Sequence, residues 1–298
     1  MNFIAILGRR MDDESIPKML VLVRELSRRG ARLCYLNRFY RYITQDKLIE
    51  LPKGPVFSSY EDLPEGIDLF LSLGGDGSFL NSMTYVRKRG IPVAGINFGR
   101  LGFLTTAKAG NEIPKWIDDL LEGRYSIQER DMLKVQALSM PEWFYPYSVN
   151  EISIQRKDPE MVGIEMRIDG RELPLFWADG VVISTPTGST AYSLSVGGPI
   201  VMPDSKVLVM APIAPHNLNV RPLVMPIDAK LEIVIHSRRA SAILSVDNRS
   251  FEVRCGETVC VTKGEYPFKY VSLYDDNFIN ALKNKLLWGE DKRNNTDI

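Results

Sequence analysis

Residues 3–7 form a five-residue apolar run that ends at Gly8, the length and boundary of a buried strand. Ser15 then stands as a helix N-cap with Pro17 near the first turn. Met19, Leu20, Leu22, Val23 and Leu26 recur at helical spacing until Gly30 stops them. Apolar runs at 32–36, 69–73 and 91–96 predict three more strands. The second of these leads straight into Gly74-Gly75-Asp76-Gly77-Ser78 and a helix reaching Arg89. Another helix is predicted over 112–121, with Ile113, Trp116, Ile117, Leu120 and Leu121 on one face. Strands alternating with helices imply a Rossmann-like parallel α/β domain.

Beyond about residue 125 the texture changes to short apolar runs separated by Gly, Pro and Asp. Strands are predicted at 133–138, 149–154, 163–168, 180–184, 207–211, 231–235, 243–246 and 258–262, the spacing of a β-rich domain. Phe278, Ile279, Leu282, Leu286 and Leu287 then predict a final helix whose apolar face returns to the first domain. The expected organisation is α/β plus all-β: residues 1–124 with 276–298 as the first domain, and 125–275 as the second.

Composition narrows the function classes. The 298 residues carry 37 basic and 37 acidic side chains, so a protein gripping nucleic acid through a large basic surface is not expected. No run approaches the roughly 18 apolar residues of a membrane-spanning helix. The first apolar run is short and has no basic residue before it, so a cytoplasmic protein is expected. Cys34, Cys255 and Cys260 include no C-x-x-C pair, which speaks against a zinc site or disulfide framework. His216 and His236 do not form H-E-x-x-H, and no G-x-S-x-G elbow presents a nucleophilic serine.

The strongest local chemistry lies in Gly74 to Ser78. Glycines let the backbone approach a ligand closely, and the N–H groups of such a turn and the following helix start favour phosphate. It is neither a Walker A loop nor a G-x-G-x-x-G fingerprint. Asp76 would repel phosphate there unless it accepts a proton or organises a metal. The stretch from Gly95 to Leu104 follows the next strand at the same sheet edge; Asn97 is its polar candidate, while Leu101, Phe103 and Leu104 read as core. Residues 184–193 are a hydroxyl-rich loop after a buried strand, either a wrapping loop for a polar ligand or a long turn. Asn150-Glu151 is suited to gripping vicinal ribose hydroxyls, but taken alone it reads as an ordinary exposed pair.

Together these stretches resemble the NAD kinase family: G-G-D-G-[ST] at Gly74 to Ser78, N-x-G-x-L-G-F-L at Asn97 to Leu104, N-E at Asn150-Glu151, and D-G…T-P-T-G-S-T-A-Y-S at Asp179 to Ser193. The G-G-D-G loop is shared with phosphofructokinases and lipid kinases; the last run is far more specific. The resemblance implies phosphoryl transfer from ATP to the 2′-hydroxyl of the adenosine ribose of NAD, with magnesium accompanying ATP. Asp76 would be the base. Gly75 and Gly77 of the loop, Asn150, Glu151 and Asp179 would bind NAD, and Thr190, Ala191, Tyr192, Ser193, Leu194 and Ser195 would line its adenine and ribose pocket. Ala214, in the Ala211 to His216 segment, and Asn248, where relatives have glutamine or histidine, would also touch ligand. Trp177 stands where many relatives carry a basic residue near the NAD site; a buried aromatic at a domain seam is its expected role. A homotetramer or homodimer is implied. The alternatives are another kinase built on the same loop, or a non-catalytic NADP sensor.

Overall fold

The computed structural model describes residues 3–98, 102–105, 107–108, 113–272 and 278–287. Its chain divides into two compact units, residues 1–128 with 270–298, and residues 129–269.

In the first unit β1 (Phe3–Gly8) is followed by α1 (Ser15–Arg28), β2 (Arg32–Leu36), the short α2 (Asn37–Arg41) and a π-helical turn over Tyr42–Asp46. Next come β3 (Val56–Phe57), β4 (Leu69–Leu73), α3 (Asp76–Val86), β5 (Val93–Asn97), β6 (Ala107–Lys108), α4 (Ile113–Leu121) and β7 (Ser126–Arg130). The α1 helix starts where the Ser15 N–H donates to Asp12 Oδ1 at 2.7 Å, and buries Ile16, Met19, Leu22, Val23 and Leu26. It stops at Gly30, whose φ of +86° suits glycine, with Ala31 N–H closing onto the Leu26 carbonyl at 3.1 Å. Arg29 at its end pairs with Asp118 of α4.

The second unit holds β8 (Leu133–Gln136), β9 (Tyr147–Ser148), β10 (Glu151–Arg156), β11 (Val162–Ile168), β12 (Arg171–Ala178), β13 (Gly180–Ser184) and α5 (Tyr192–Ser195). It continues with β14 (Val207–Ile213), β15 (Leu223–Pro226), β16 (Leu231–His236), β17 (Ser241–Val246), β18 (Arg249–Arg254) and β19 (Thr258–Lys263). The strands form two six-stranded sheets, ordered β15-β14-β13-β10-β17-β18 and β12-β11-β16-β19-β8-β9. Alternate residues of β16 and β17 turn into one shared core with Ile152, Ile183, Leu208 and Phe251.

The chain then returns to the first unit through β20 (Phe268–Ser272) and α6 (Phe278–Leu286). The first sheet runs β3-β2-β1-β4-β5-β20-β7, with β6 beside β5. Pairing is parallel from β3 across to β20, and the order reverses between β1 and β4, the kind of position where open α/β sheets take ligands.

Several expectations change. The helix after the Gly-Gly-Asp turn ends at Val86, and Arg87–Arg89 is a 3-10 turn closed by Gly90 in the left-handed region. The strand expected from Val149 starts at Glu151, because Val149 and Asn150 spend their N–H groups on a side chain. Phe103 and Leu104 are half-buried rather than core, and the Lys285 ammonium lies 4.7 Å from the Phe103 ring centroid. Leu101 and Glu112 lie outside the described residues. In α6, Leu282 is buried, but Ile279 and the following Leu287 are exposed.

Candidate active site

In the first unit the polar candidates gather at the C-terminal edge of β4 and β5. Gly74, at φ +143°, lets the chain leave β4, and its N–H donates to the Ile96 carbonyl at 2.8 Å. A Cβ there would lie 2.8 Å from the Ser78 hydroxyl. Gly75 caps α3 and lies beside the buried Asn97 amide. Asp76 is the first residue of α3, where the helix dipole favours a carboxylate. Its Oδ2 accepts the Phe103 N–H at 2.7 Å; its Oδ1 accepts the N–H groups of Leu104 and Thr105, each at 3.1 Å, and the Thr105 hydroxyl at 3.2 Å. A Cβ on Gly102 would collide with this carboxylate, so the glycine is what admits it. The two sequence motifs therefore meet through Asp76.

In the second unit a separate cluster forms where β10, β13 and the β17–β18 turn converge. Asp247, at φ +52° in that turn, accepts the N–H groups of Val149, Asn150 and Glu151 at 3.0, 2.9 and 3.2 Å. The Thr185 hydroxyl donates to the Val149 carbonyl at 2.6 Å and its N–H to the Asn150 carbonyl at 2.9 Å. Gly188 N–H donates to the Thr185 hydroxyl at 3.2 Å. The backbone around Asn150 and Glu151 is thus fixed from two sides.

Their side chains are left with capacity. Among the described residues, Asn150 Oδ1 and Glu151 Oε2 find no hydrogen-bond partner, and both are shielded from solvent. Burial pushes the Glu151 carboxyl up from 4.5 to about 8, and the charge of Asp247 adds to that; the Tyr192 backbone N–H opposes it. Burial raises Asp247 as well, against the pull of the three N–H groups and Arg249. The Tyr192 phenol is raised by burial first, then by the carboxylates of Asp179 and Glu151. Tyr192 therefore stands in the field of both.

The remaining candidates sort by place. Thr190, Ala191 and Leu194 are half-buried, Ser193 is buried and Ser195 is exposed. Asp179 is held by Arg156, with Oδ1 2.7 Å from Nε, and its N–H donates to the Ile213 carbonyl at 2.9 Å. Ala214 follows in the left-handed region at φ +44° and is exposed. Trp177 is 44% exposed rather than buried, because it lies on the edge strand β12; its carbonyl accepts the His216 N–H at 2.8 Å. Trp177, Asp179 and Ala214 are thus brought to one side of the cluster, while Asn248 is exposed at the turn beyond Asp247. Sequence reasoning gave no role to Asp247 or Arg156, and gave Thr185 only a place in the hydroxyl-rich loop. Only the Asp-Asn turn pair, a φ-permissive dipeptide, hinted at the first.

Two family models match the chain. Residues 4–125 match the ATP-NAD kinase N-terminal domain and residues 149–273 the ATP-NAD kinase C-terminal domain. The chain belongs to the NAD kinase family. It is 38% identical over 294 residues to the NAD kinase of Flavobacterium psychrophilum, covering 98% of this chain and 99% of that one. It is 42% identical over 241 residues to that of Christiangramia forsetii, covering 80% and 82%. A crystal structure of yeast NADH kinase complexed with NADH superposes with a TM-score of 0.87 at 26% identity, covering 99% of this chain and 90% of that one. An NAD kinase from Archaeoglobus fulgidus in complex with ATP shares the fold, with a TM-score of 0.70 at 24% identity over 94% and 96%. The family phosphorylates NAD with ATP to give NADP, so this chain is a phosphotransferase with an alcohol acceptor.

Proposed function

We propose that Asp76 accepts the proton of the adenosine-ribose 2′-hydroxyl of NAD while the γ-phosphoryl group of ATP is transferred to that oxygen. The observation that carries this reading is the state of the Asp76 carboxylate. Four hydrogen bonds fix it at the start of α3, yet Oδ2 uses only one of them and keeps a lone pair to accept another proton. Phosphoryl transfer passes through a loose transition state, so positioning matters more than a strong base.

Asn150 and Glu151 hold the ribose diol of NAD in this reading. Two shielded oxygens without partners suit a ligand that brings two hydroxyl donors. Gly75 and Gly77 supply close backbone approach. Asp179 and Thr190 to Ser195 line the rest of the nucleotide site, with Trp177, Ala214 and Asn248 at its margin. Among the described residues no group of three or more His, Cys, Asp or Glu lies together for a metal. Magnesium would accompany the ATP phosphates, whose charge it offsets. No helix among the described residues is long and apolar enough to cross a membrane; a cytoplasmic homodimer or homotetramer, without nucleic acid, completes the reading.

The test is direct. Purified chain is incubated with NAD, ATP and magnesium, and NADP is followed with an NADP-specific dehydrogenase. The wild type forms NADP; Asp76→Asn stays folded, with a stability loss of about 1–3 kcal/mol because its amide N–H₂ meets a backbone N–H, and loses roughly 10²–10⁴-fold in turnover. Turnover close to wild type in a folded Asp76→Asn would remove Asp76 from the role.

A further inference from the structure

β9 is the last strand of its sheet, paired with β8 on one flank, Leu133 opposite Ser148 and Lys134 opposite Tyr147. The chain then crosses to the other sheet, where β10 begins at Glu151. Asn150 and Glu151 therefore stand at the point where the chain changes sheets. A strand at the rim of a sheet leaves a row of backbone groups without a strand partner. Arg249 of β18 takes up two of the carbonyls on this rim. Its Nη1 donates to the Tyr145 carbonyl at 2.5 Å and its Nη2 to the Tyr147 carbonyl at 2.6 Å. Residues two apart in an extended chain turn the same way, so one planar guanidinium fork reaches both. β18 belongs to the other sheet, beside β17. One side chain thus ties the rim of one sheet to a hairpin of the other.

The tie is built into its surroundings. The Arg249 guanidinium carbon lies 5.5 Å from the ring centroids of Phe144 and Tyr145, both buried. Tyr145, Tyr147 and Tyr266 pack in a row with centroids 5.1 and 4.9 Å apart, and the Tyr145 and Tyr266 hydroxyls share a bond of 2.8 Å. Val246 and Arg249 pair across the hairpin turn, so Asp247 and Arg249 leave it two residues apart. The aspartate accepts the N–H groups of Val149, Asn150 and Glu151, and the arginine donates to the carbonyls of Tyr145 and Tyr147. Opposite charges therefore hold opposite ends of the segment 145–151, one through its donors and one through its acceptors. Asn248 lies between them, exposed at the tip of the turn. Burial raises the Asp247 carboxyl and the Arg249 charge opposes that rise, so the two residues support each other.

We propose that Arg249 is a positioning residue for NAD, fixing where Asn150 and Glu151 stand relative to Asn248 by locking the segment 145–151 onto the β17–β18 hairpin. The inference rests on the reading that Asn150 and Glu151 hold the ribose diol. Arg249 acts through that backbone and not on the ligand, so it governs affinity for NAD and leaves the chemical step alone.

The test separates positioning from bulk stability. NAD and ATP are titrated separately into the full chain, Arg249→Lys, Arg249→Ala, Asn150→Ala and the double variants, beside thermal melts and steady-state kinetics. Arg249→Lys keeps the charge and the fold, but a point-like ammonium does not span two carbonyls. NAD affinity is expected to fall roughly tenfold, the worth of one misplaced hydrogen bond to the ligand, and further in Arg249→Ala. The KM for NAD rises with it, while kcat and ATP affinity stay near wild type. In the Asn150→Ala background the loss from Arg249→Lys shrinks, because both residues serve one contact. Wild-type NAD affinity in Arg249→Lys overturns the proposal. An equal loss for ATP does so too, as does an undiminished loss in the Asn150→Ala background. Wild-type NAD affinity in Asn150→Ala would instead remove the underlying reading, and the proposal with it, a result obtained without touching Arg249.

Discussion

The carboxylate of Asp247 receives the backbone N–H of Asn150 at 2.9 Å, across 97 residues of chain. With Val149 and Glu151 on the same carboxylate, one hairpin turn sets the backbone of the loop that presents the Asn-Glu pair. Asp247→Asn keeps the volume but exchanges one acceptor oxygen for an N–H₂ donor facing an N–H group. The expected outcome is a loss of about 1–3 kcal/mol in stability, the cost of an unsatisfied group, and a raised KM for NAD with a smaller change in the KM for ATP. Thermal melts and steady-state kinetics on one preparation check both.

Glu151 supplies a pH signature. Its carboxyl titrates at about 8 in the folded chain against an ordinary 4.5. Between those values the folded chain holds a proton that the unfolded chain has released, so stability falls as pH rises through the window and levels off above it. Asp247 is also raised and adds to the same slope. Glu151→Gln removes its own share, so the variant gains on the wild type in Tm as pH rises. Melts below, inside and above the window measure this; parallel curves would return Glu151 to an ordinary titration.

Gly102→Ala tests the tie between the two motifs of the first unit. A methyl group at that position meets the Asp76 carboxylate, which then has to leave its place among residues 103–105. Turnover is expected to fall by about 10²-fold, as for misplacement of a reacting group, with a stability loss of about 1–3 kcal/mol as the N–H groups of 103–105 lose their acceptor.

Gly188→Ala acts on the second unit. Its Cβ would stand 2.5 Å from the Asn150 carbonyl carbon and 2.7 Å from its Cα, and backbone atoms have no rotamer to yield. The expected cost is about 1–3 kcal/mol with weakened NAD binding, read by melting and by direct titration of NAD. Wild-type affinity would show that the loop around Asn150 tolerates displacement.

Legibility in the sequence followed how local each feature is. The strands at Arg32–Leu36, Leu69–Leu73 and Gly180–Ser184 are apolar runs with Gly or polar boundaries, and their limits could be read directly. β12 escaped because it is an edge strand interrupted by Pro174, with Leu175 and Trp177 turned to solvent. β18 escaped because only Phe251 and Val253 of its six residues are buried. Asp76 and Asn150-Glu151 were visible as motifs. Their supports were not: the N–H groups of 103–105 and the carboxylate of Asp247 reach them only after the sheets have formed.

The parallel pairing of β20 with β5, Tyr270 against Val93, means that the second unit is an insertion between two parts of the first. Ribosomal synthesis therefore leaves Val93 of β5 without its β20 partner until some 170 further residues have emerged, whereas the two ends of the inserted unit close on each other, Leu133 opposite Lys263 and Gly264 N–H on the Met132 carbonyl. The late-translated half of the molecule is thus the one able to close on itself, and the early half waits for its last strand. Pulse-labelled hydrogen exchange during refolding should show amides of the β4–β5 ladder protected before those of the β5–β20 pair, the order in which loop-closure entropy is met.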